Sequence, residues 1–500
     1  PRTVGALRSI GLLNVCMLGQ MGLQLAYQLV LFPALFGASA EMDAFNAVMA
    51  VPQVLGTILV GSLQYAFVPV YMHERERGGE PRAHGFSTEV GLALFLVLGA
   101  TSLVCSLFAA ELAAWLWPGF SPETHALSVA LLRRLSWLTL LSSATSYLQT
   151  VAFCEQRFVA PALGPVIGIA VSIAWTWLRG SVDGIYAAAD GILIGSVLTV
   201  AWLVPDWLRQ FHWPTWDRQG LRELAALLLP LLIGGAYFKL DPLVDRYLAS
   251  RFSTGDLAHL GYAYRIGSGL LTLTVNGLAS VVFPAMARQA AGGRFDELRT
   301  EFSHALRFLG FVLIPLLFAL GLYHHELVRD VLQRGRFTPE DTLAVGWLTW
   351  LYAGLLLGGA IGEIGTKGFF ALGDTRTPVV VCCLGFTVGI VLKFALAARW
   401  GVDALAWATS AYYLLNAVLT VWLLSLRLRG FAANGLLRSL ARSFAAALVS
   451  ALVVAPLVWS EYRYTALVGM AIAGARYLVL MRWMGDDIAK NLLRRKSAEA

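Results

Sequence analysis

The sequence predicts an all-α polytopic membrane protein with about 14 transmembrane helices. Three observations carry that expectation. From Ser9 to Ala40 there is no charged residue, and a helix needs only about 20 apolar residues to cross the hydrocarbon core. Hydrophobic residues make up 58% of the 500 residues and charged residues only 14%, with a mean hydropathy of +0.66. A soluble domain carries about a quarter charged residues. Finally, the apolar runs follow one another with short polar connections. Helices are the fitting element, because lipid offers no partner for an unpaired backbone group. A β-barrel would alternate over strands of about ten residues.

The expected spans, in order, begin with the uncharged run 9–37. Span 43–72 stops at His73-Glu74-Arg75-Glu76-Arg77-Gly78-Gly79, and span 86–116 stops at Trp117-Pro118-Gly119. Span 124–153 is uncharged apart from Arg133-Arg134 and His125. Spans 158–178 and 184–208 are separated by Arg179 and Asp183. Span 220–249 holds Lys239, Asp241 and Asp245-Arg246. Spans 256–288 and 298–328 flank Arg294-Phe295-Asp296-Glu297. Spans 339–372, 377–398 and 402–426 follow, and 437–459 and 463–483 complete the series.

An even number of spans puts both termini on one side. Loops on that side hold about twenty Lys and Arg, including Arg75, Arg77, Arg82, Arg218, Arg222, Arg288, Arg294, Arg427 and Arg429, against about eight opposite, so the positive-inside rule predicts cytoplasmic termini. The tail Lys490…Arg494-Arg495-Lys496 fits the same side, where anionic lipid lies. The net charge of +7 is spread over these short loops and predicts no nucleic-acid partner. Cys16, Cys105, Cys154, Cys382 and Cys383 lie in or beside apolar segments without metal or redox spacing. His324-His325-Glu326 reads as an ordinary interfacial loop. No GxSxG, HExxH, Walker loop or paired CxxC is present, which predicts a transporter rather than an enzyme, with no cofactor. The first apolar run is too long for the core of a cleavable signal. The chain starts at Pro1 rather than Met, which leaves open that residues precede it.

A weak repeat runs through the chain. Ala66-Phe67-Val68-Pro69 and its charged Gly-Gly loop are echoed by Val281-Val282-Phe283-Pro284 and Gly292-Gly293, and Phe153–Pro161 by Phe370–Pro378, both at an offset of about 215 residues. This predicts an N-lobe of residues 1–216, a C-lobe of 217–430, and two extra helices with a tail in 431–500. Pro33, Pro52, Pro165, Pro230, Pro242 and Pro315 lie inside spans, where each removes a backbone hydrogen bond and bends its helix.

Charge inside the membrane is costly and points to function. The candidates are Arg133 and Arg134, Lys239, Asp241 and Asp245-Arg246, Arg265, Glu363 and Lys367, with Asp43, Glu111 and Asp190 nearer the ends. At 1.5 Å per residue, Asp241 and Arg265 lie at similar depth, roughly 12 Å from the outer ends of their helices, suited to pairing or to facing one cavity. Arg133 and Arg134 point about 100° apart, so only one of them would face any cavity. Glu363 and Lys367 are spaced i,i+4 in the favourable order for mutual neutralisation.

Several segments carry a resemblance. They are Phe36-Gly37-Ala38…Asp43-Ala44-Phe45, Ala66-Phe67-Val68-Pro69, Asp245-Arg246…Ala249-Ser250, and Tyr262-Ala263-Tyr264-Arg265. Further on come Gln333-Arg334-Gly335-Arg336-Phe337-Thr338 and Gly368-Phe369-Phe370-Ala371-Leu372-Gly373-Asp374-Thr375-Arg376-Thr377-Pro378. In order and spacing, over about residues 10–430, the chain resembles the MurJ (MviN) family of lipid II flippases, of the multidrug/oligosaccharidyl-lipid/polysaccharide exporter superfamily. The resemblance implies a V-shaped transporter of two six-helix lobes plus two C-terminal helices. It implies alternating access, a bacterial cytoplasmic (inner) membrane location, and membrane lipids as surroundings. The implied cargo is an undecaprenyl-pyrophosphate-linked saccharide moved to the outer leaflet through a cationic cavity. Arg suits that cargo because it recognises phosphate by charged hydrogen bonds.

By position Asp43 and Arg265 match the family's cavity charges, and Arg133 falls where a Lys can occur. The chain departs from the pattern where the family carries arginines: Gly22 and Gln28 stand in helix 1, and Leu55-Gly56 in helix 2. The implied substrate-binding set is therefore Arg265, Asp43, Asp241, Lys239, Arg133, Arg134, Gln28, Glu363 and Lys367. The competing reading is a cation-coupled small-molecule antiporter of the same superfold, for which Asp190 or Asp241 would take up the ion. Coupling to Na+, H+ or membrane potential stays open.

Overall fold

The computed structural model describes residues 2–214, 218–430, 435–460, 462 and 464–489. The basic tail that begins at Lys490 lies outside the described residues. Among them the chain is helical, with no strand. The helices are α1 (Arg2–Ala26), α2 (Phe32–Phe36), α3 (Ala40–Leu107), α4 (Ala109–Leu116), α5 (Pro122–Leu135), α6 (Trp137–Cys154), α7 (Val159–Asp183), α8 (Ile185–Leu208) and α9 (Arg218–Lys239). They continue with α10 (Asp241–Ala249), α11 (Asp256–Ala291), α12 (Phe295–Leu332), α13 (Pro339–Leu351), α14 (Ala353–Ala371), α15 (Arg376–Trp400), α16 (Val402–Arg427), α17 (Leu436–Val458) and α18 (Thr465–Trp483).

Among the described residues ten helices are long and apolar enough to cross a membrane, or eleven if the bent pair Asp256–Ala279 and Val281–Ala291 is one span. The expected count of fourteen is not matched one for one. The stretch 43–116 carries two helical arms within α3 that meet at a corner at Gly78 and Gly79, in keeping with the two spans expected there, and the φ of +73° at Gly79 suits glycine. Span 124–153 is divided at Ser136 into α5 and α6, and span 220–249 at Leu240 into α9 and α10.

The described residues form two compact units. One contains the described residues up to Ala258 with Arg334–Arg336, the other His259–Gln333 and the described residues from Phe337 onward. In the first, the Gly78–Gly79 corner folds α3 back on itself. Phe67 then stacks on Phe86 at 5.8 Å and meets Tyr147 of α6 edge-on. The Tyr147 hydroxyl donates to the Ser87 carbonyl. Helices α7 and α8 pack through small residues: a Cβ at Gly168 would collide with Thr199 and the Gly195 carbonyl. Such close approach is how membrane helices associate where lipid supplies no hydrophobic drive. Gly335, with φ of +57°, lies against Ala34, and the Arg336 N–H donates to the Ala34 carbonyl at 3.1 Å. In the second unit the core runs along α11, α12 and α14 through Met286, Phe302, Leu309, Leu356 and Phe369. Asp330 is fully buried and accepts the Ala466 N–H at 2.9 Å, which seats the start of α18 against α12.

The repeat is visible in local geometry. Gly184 (φ 58°, ψ −141°) ends α7 and begins α8, and Gly401 (φ 56°, ψ −135°) does the same for α15 and α16. Helices α6 and α14 are followed by the same tight turn. The Arg157 N–H donates to the Ala152 carbonyl at 2.8 Å past left-handed Gln156, and the Asp374 N–H to the Phe369 carbonyl at 3.0 Å past left-handed Gly373. Ser121-Pro122-Glu123 caps α5 as Thr338-Pro339-Glu340 caps α13, each hydroxyl accepting a backbone N–H at 3.2 Å.

Candidate functional site

The charges singled out from the sequence are placed by helix ends and breaks. Asp43 lies in the first turn of α3 and is only 4% exposed. Its two carboxylate oxygens accept the Gly255 N–H at 2.6 Å and the Ala258 N–H at 2.7 Å. The carboxylate thus sits on the N-terminus of α11, where unpaired N–H groups and the helix dipole favour negative charge. Its first task is to anchor a helix.

Arg133 and Arg134 diverge, as adjacent helical residues must. Arg134 reaches Asp190 of α8 at 3.3 Å and lies over the Tyr186 ring at 4.4 Å. Arg133 is exposed, and its carbonyl accepts the Ser106 hydroxyl at 3.2 Å. Lys239, the last residue of α9, donates to the Thr57 carbonyl of α3 at 2.9 Å. Asp241 opens α10 just past the break at Leu240 and is half-buried. Gln28 lies in a π-helical stretch, Tyr27–Leu31, that widens the helix ahead of Pro33. Such wide turns concentrate at functional sites. Beside Gln28, the Tyr27 hydroxyl bonds that of Thr176 on α7 at 2.7 Å. A Cβ at Gly22 would meet nothing within 4 Å, whereas one at Gly56 would lie 3.4 Å from the Ser142 hydroxyl. Within the first unit, then, Asp43, Arg134 and Lys239 each engage a different partner.

In the second unit Arg265 is half-buried on α11, with its guanidinium 5.7 Å from the ring centre of Tyr262. Tyr262 is fully buried and held edge-on by Phe337. The ring fixes the arginine's stem by a cation–π contact. Glu363 and Lys367 form the expected i,i+4 pair at 3.2 Å. Lys367 also lies 5.7 Å from Phe283 and 5.8 Å from Phe370. Among the described residues no group of three or more His, Cys, Asp or Glu is arranged to hold a metal.

Buried charges that escaped the sequence reading include Glu89, Asp330 and Lys393. Lys393 of α15 has no solvent exposure and faces the Tyr412 ring at 5.8 Å. Its signal was there, a lone Lys between Leu392 and Phe394 inside an apolar run. Another feature that only the fold reveals is an apolar groove of about 280 Å³ between α12, α17 and α18, lined by Val312, Pro315, Leu316, Ala447, Met470 and Gly474 among others.

The comparisons with known proteins follow this geometry. The family model described as lipid II flippase MurJ matches residues 32–472. A Rhizobium meliloti (strain 1021) protein named probable lipid II flippase MurJ is 27% identical over 409 residues, covering 77% of this chain and 74% of its own. The Vibrio cholerae (serotype O1) protein of that name is 24% identical, covering 77% and 76%. A solved lipid II flippase MurJ in an inward closed conformation superposes with a TM-score of 0.83 at 22% identity, over 95% of this chain and 99% of that one. An inward-facing multidrug resistance transporter of the MATE family superposes with a TM-score of 0.69 at 11% identity, over 82% and 98%. The family model spans most of the chain, including α3 with Asp43, α11 with Arg265, and the turn around Asp374, and the chain belongs to the lipid II flippase MurJ family.

Proposed function

We propose that this chain is a flippase of the inner membrane. It moves a polyprenyl-pyrophosphate-linked saccharide, a lipid II-like precursor of peptidoglycan, from the inner to the outer leaflet by alternating access. The observation that carries the reading is the family match over residues 32–472. The chemistry of the chain supports it. Arg265 is a half-buried guanidinium stiffened by Tyr262, suited to a phosphate oxygen. The groove between α12, α17 and α18 is apolar enough to seat a polyprenyl tail. The wide turn around Gln28 gives helix 1 a bend that can straighten as access alternates. Both termini are assigned to the cytoplasm by the Lys and Arg bias of the loops. On this reading the lobes that move are residues 1–216 and 217–430, with 431–500 accompanying the second. With Gln28 and Gly22 in helix 1, recognition of the pyrophosphate rests on Arg265, with Lys239 and Arg133 or Arg134 contributing. The likeness to MATE transporters is one of fold, and the helix 1 residues from Ser9 to Ala40 include no carboxylate for ion uptake.

The test is complementation. A host depleted of its own lipid II flippase should grow when supplied with this chain. Arg265→Ala should lose that growth while inserting at normal levels. Failure of the unaltered chain at normal expression would contradict the reading.

A further inference from the structure

Arg336 stands in the segment Gln333–Thr338 that the sequence singled out, and the site above makes no use of its side chain. Arg334–Arg336 belong to the first unit, and the Arg336 N–H bonded to the Ala34 carbonyl seats them against α2. Gly37, with φ of +59°, leaves room for the Arg336 carbonyl, which a Cβ there would meet at 2.5 Å. Beside this contact lies a cavity of about 600 Å³, the size of a small-ligand site. Its lining brings together Glu41 from the first turn of α3, Leu127 of α5, Val182 and Asp183 at the end of α7, Tyr186 of α8, and Arg336. The Lys and Arg bias of the loops assigns this end of the helices to the outer surface.

Of the charges in this lining, Asp183 is paired with Arg179 at 2.8 Å. Glu41 is not paired. Among the described residues its carboxylate takes part in no ion pair or hydrogen bond, and Oε2 is shielded from water. Both its oxygens lie 3.6 Å from the place of a Cβ at Gly184, which also borders the cavity. The helix dipole accounts for an acid in the first turn of α3. It does not account for hydration lost with no donor gained, a cost that a cation at the cavity side would offset. The exposed Arg336 guanidinium likewise meets no carboxylate among the described residues. The cavity therefore offers an acceptor to a cation and a donor to an anion, and one ligand that carries both satisfies it. From the rim, Val182, Leu178 and Ala174 continue along α7 at i,i+4 spacing as an exposed apolar stripe. In a bilayer such a stripe faces acyl chains.

We propose that this cavity binds the headgroup of a phosphoethanolamine phospholipid of the outer leaflet. The lipid phosphate meets Arg336 through charged hydrogen bonds, the ammonium meets Glu41, and an acyl chain follows Leu178 and Ala174. The primary amine decides the class. Glu41 lacks a hydrogen-bond donor, and an ammonium supplies three N–H groups. A quaternary choline supplies none, and a glycerol headgroup carries no cation. The bound lipid ties the start of α3 and the α7–α8 corner to the segment 334–336, so it stabilises the fold by mass action. Arg265, Lys239, Arg133, Arg134 and Gln28 do not line the cavity, so the proposal stands apart from the flippase reading.

The experiment titrates the delipidated full chain in detergent with short-chain phosphatidylethanolamine, phosphatidylcholine or phosphatidylglycerol, and with soluble phosphoethanolamine. Binding is read by native mass spectrometry and by the thermal midpoint. Phosphatidylethanolamine should bind most tightly and raise the midpoint, with phosphatidylcholine and phosphatidylglycerol weaker on the order of tenfold. Glu41→Gln and Arg336→Gln should each weaken phosphatidylethanolamine on the order of tenfold, and Glu41→Gln should bring it level with phosphatidylcholine. Glu340→Gln, outside the cavity, should change nothing. Equal binding of phosphatidylcholine and phosphatidylethanolamine by the unaltered chain overturns the proposal, as does tightest binding of phosphatidylglycerol. Unchanged phosphatidylethanolamine affinity in both Glu41→Gln and Arg336→Gln overturns it by placing the lipid elsewhere. Soluble phosphoethanolamine binding as tightly as the lipid overturns the lipid as the source of the headgroup. If either variant fails to insert, the ligand series on the unaltered chain decides the matter alone.

Discussion

Asp43 permits the most quantitative prediction. Its carboxylate accepts two backbone N–H groups from the start of α11, at 2.6 and 2.7 Å, in a site only 4% exposed. Hydrogen bonds to a charged group contribute about 1.5–3 kcal/mol each. The charge at a partly buried helix terminus adds up to about 2 kcal/mol. Asp43→Asn keeps the shape and one acceptor oxygen but turns an amide NH₂ toward a backbone donor. That exchange should cost about 2–3 kcal/mol, and Asp43→Ala, which leaves both donors unmet, about 3–5 kcal/mol. The direct assay is hydrogen exchange at the amides of residues 255–258 in detergent-solubilised protein. A local loss of about 2 kcal/mol speeds exchange about thirtyfold. The thermal midpoint should fall in the order Asp, Asn, Ala. Unchanged exchange at those amides in Asp43→Ala, with an unchanged midpoint, would refute the anchoring role.

Other expectations follow from the same geometry. Gly168→Leu should splay α7 from α8, since its side chain would enter the Gly195 backbone, with a cost of about 3 kcal/mol or more read as a lower thermal midpoint. In the turn before α15, the Thr377 backbone N–H, then its hydroxyl, the Arg376 N–H and the Arg427 guanidinium hold the Asp374 carboxyl below the usual carboxylate range. A depressed folded-state pKa gives stabilisation that is complete above the unfolded value of about 3.9 and is lost as pH falls through the folded one. The midpoint difference between the unaltered chain and Asp374→Asn should therefore be present at pH 7 and vanish in acid. For orientation, an impermeant maleimide applied from outside should label a Cys at exposed Glu340 and not one at exposed Glu76, and the reverse pattern would invert the assigned topology.

How much of this was legible in the sequence depended on how local the signal is. The membrane fold was legible because lipid permits few answers for uncharged runs such as Ser9–Ala40. The Glu363–Lys367 pair was legible because i,i+4 spacing alone brings the side chains together. Both Gly-Gly corners were marked by their charged flanks, and Gly79 and Gly293 each adopt positive φ. The role of Asp43 was not legible, because its partners are backbone N–H groups more than 200 residues away, which have no residue type. The Arg134–Asp190 contact joins two helices whose relative rotation no single-helix pattern specifies. Lys393 passed unnoticed because a lone Lys near a helix end looks like one that reaches for the interface. Only its complete burial separates the two cases.

The central claim is that this chain carries a lipid-linked saccharide to the outer leaflet. The most direct measurement is the outer-leaflet share of lipid II in cells whose native flippase is acutely blocked, read by a membrane-impermeant enzyme that cleaves the exposed pyrophosphate. Cells expressing this chain should keep most of their lipid II open to cleavage, and cells expressing Arg265→Ala should not. Lipid II that stays protected in cells expressing the unaltered, membrane-inserted chain would contradict the claim.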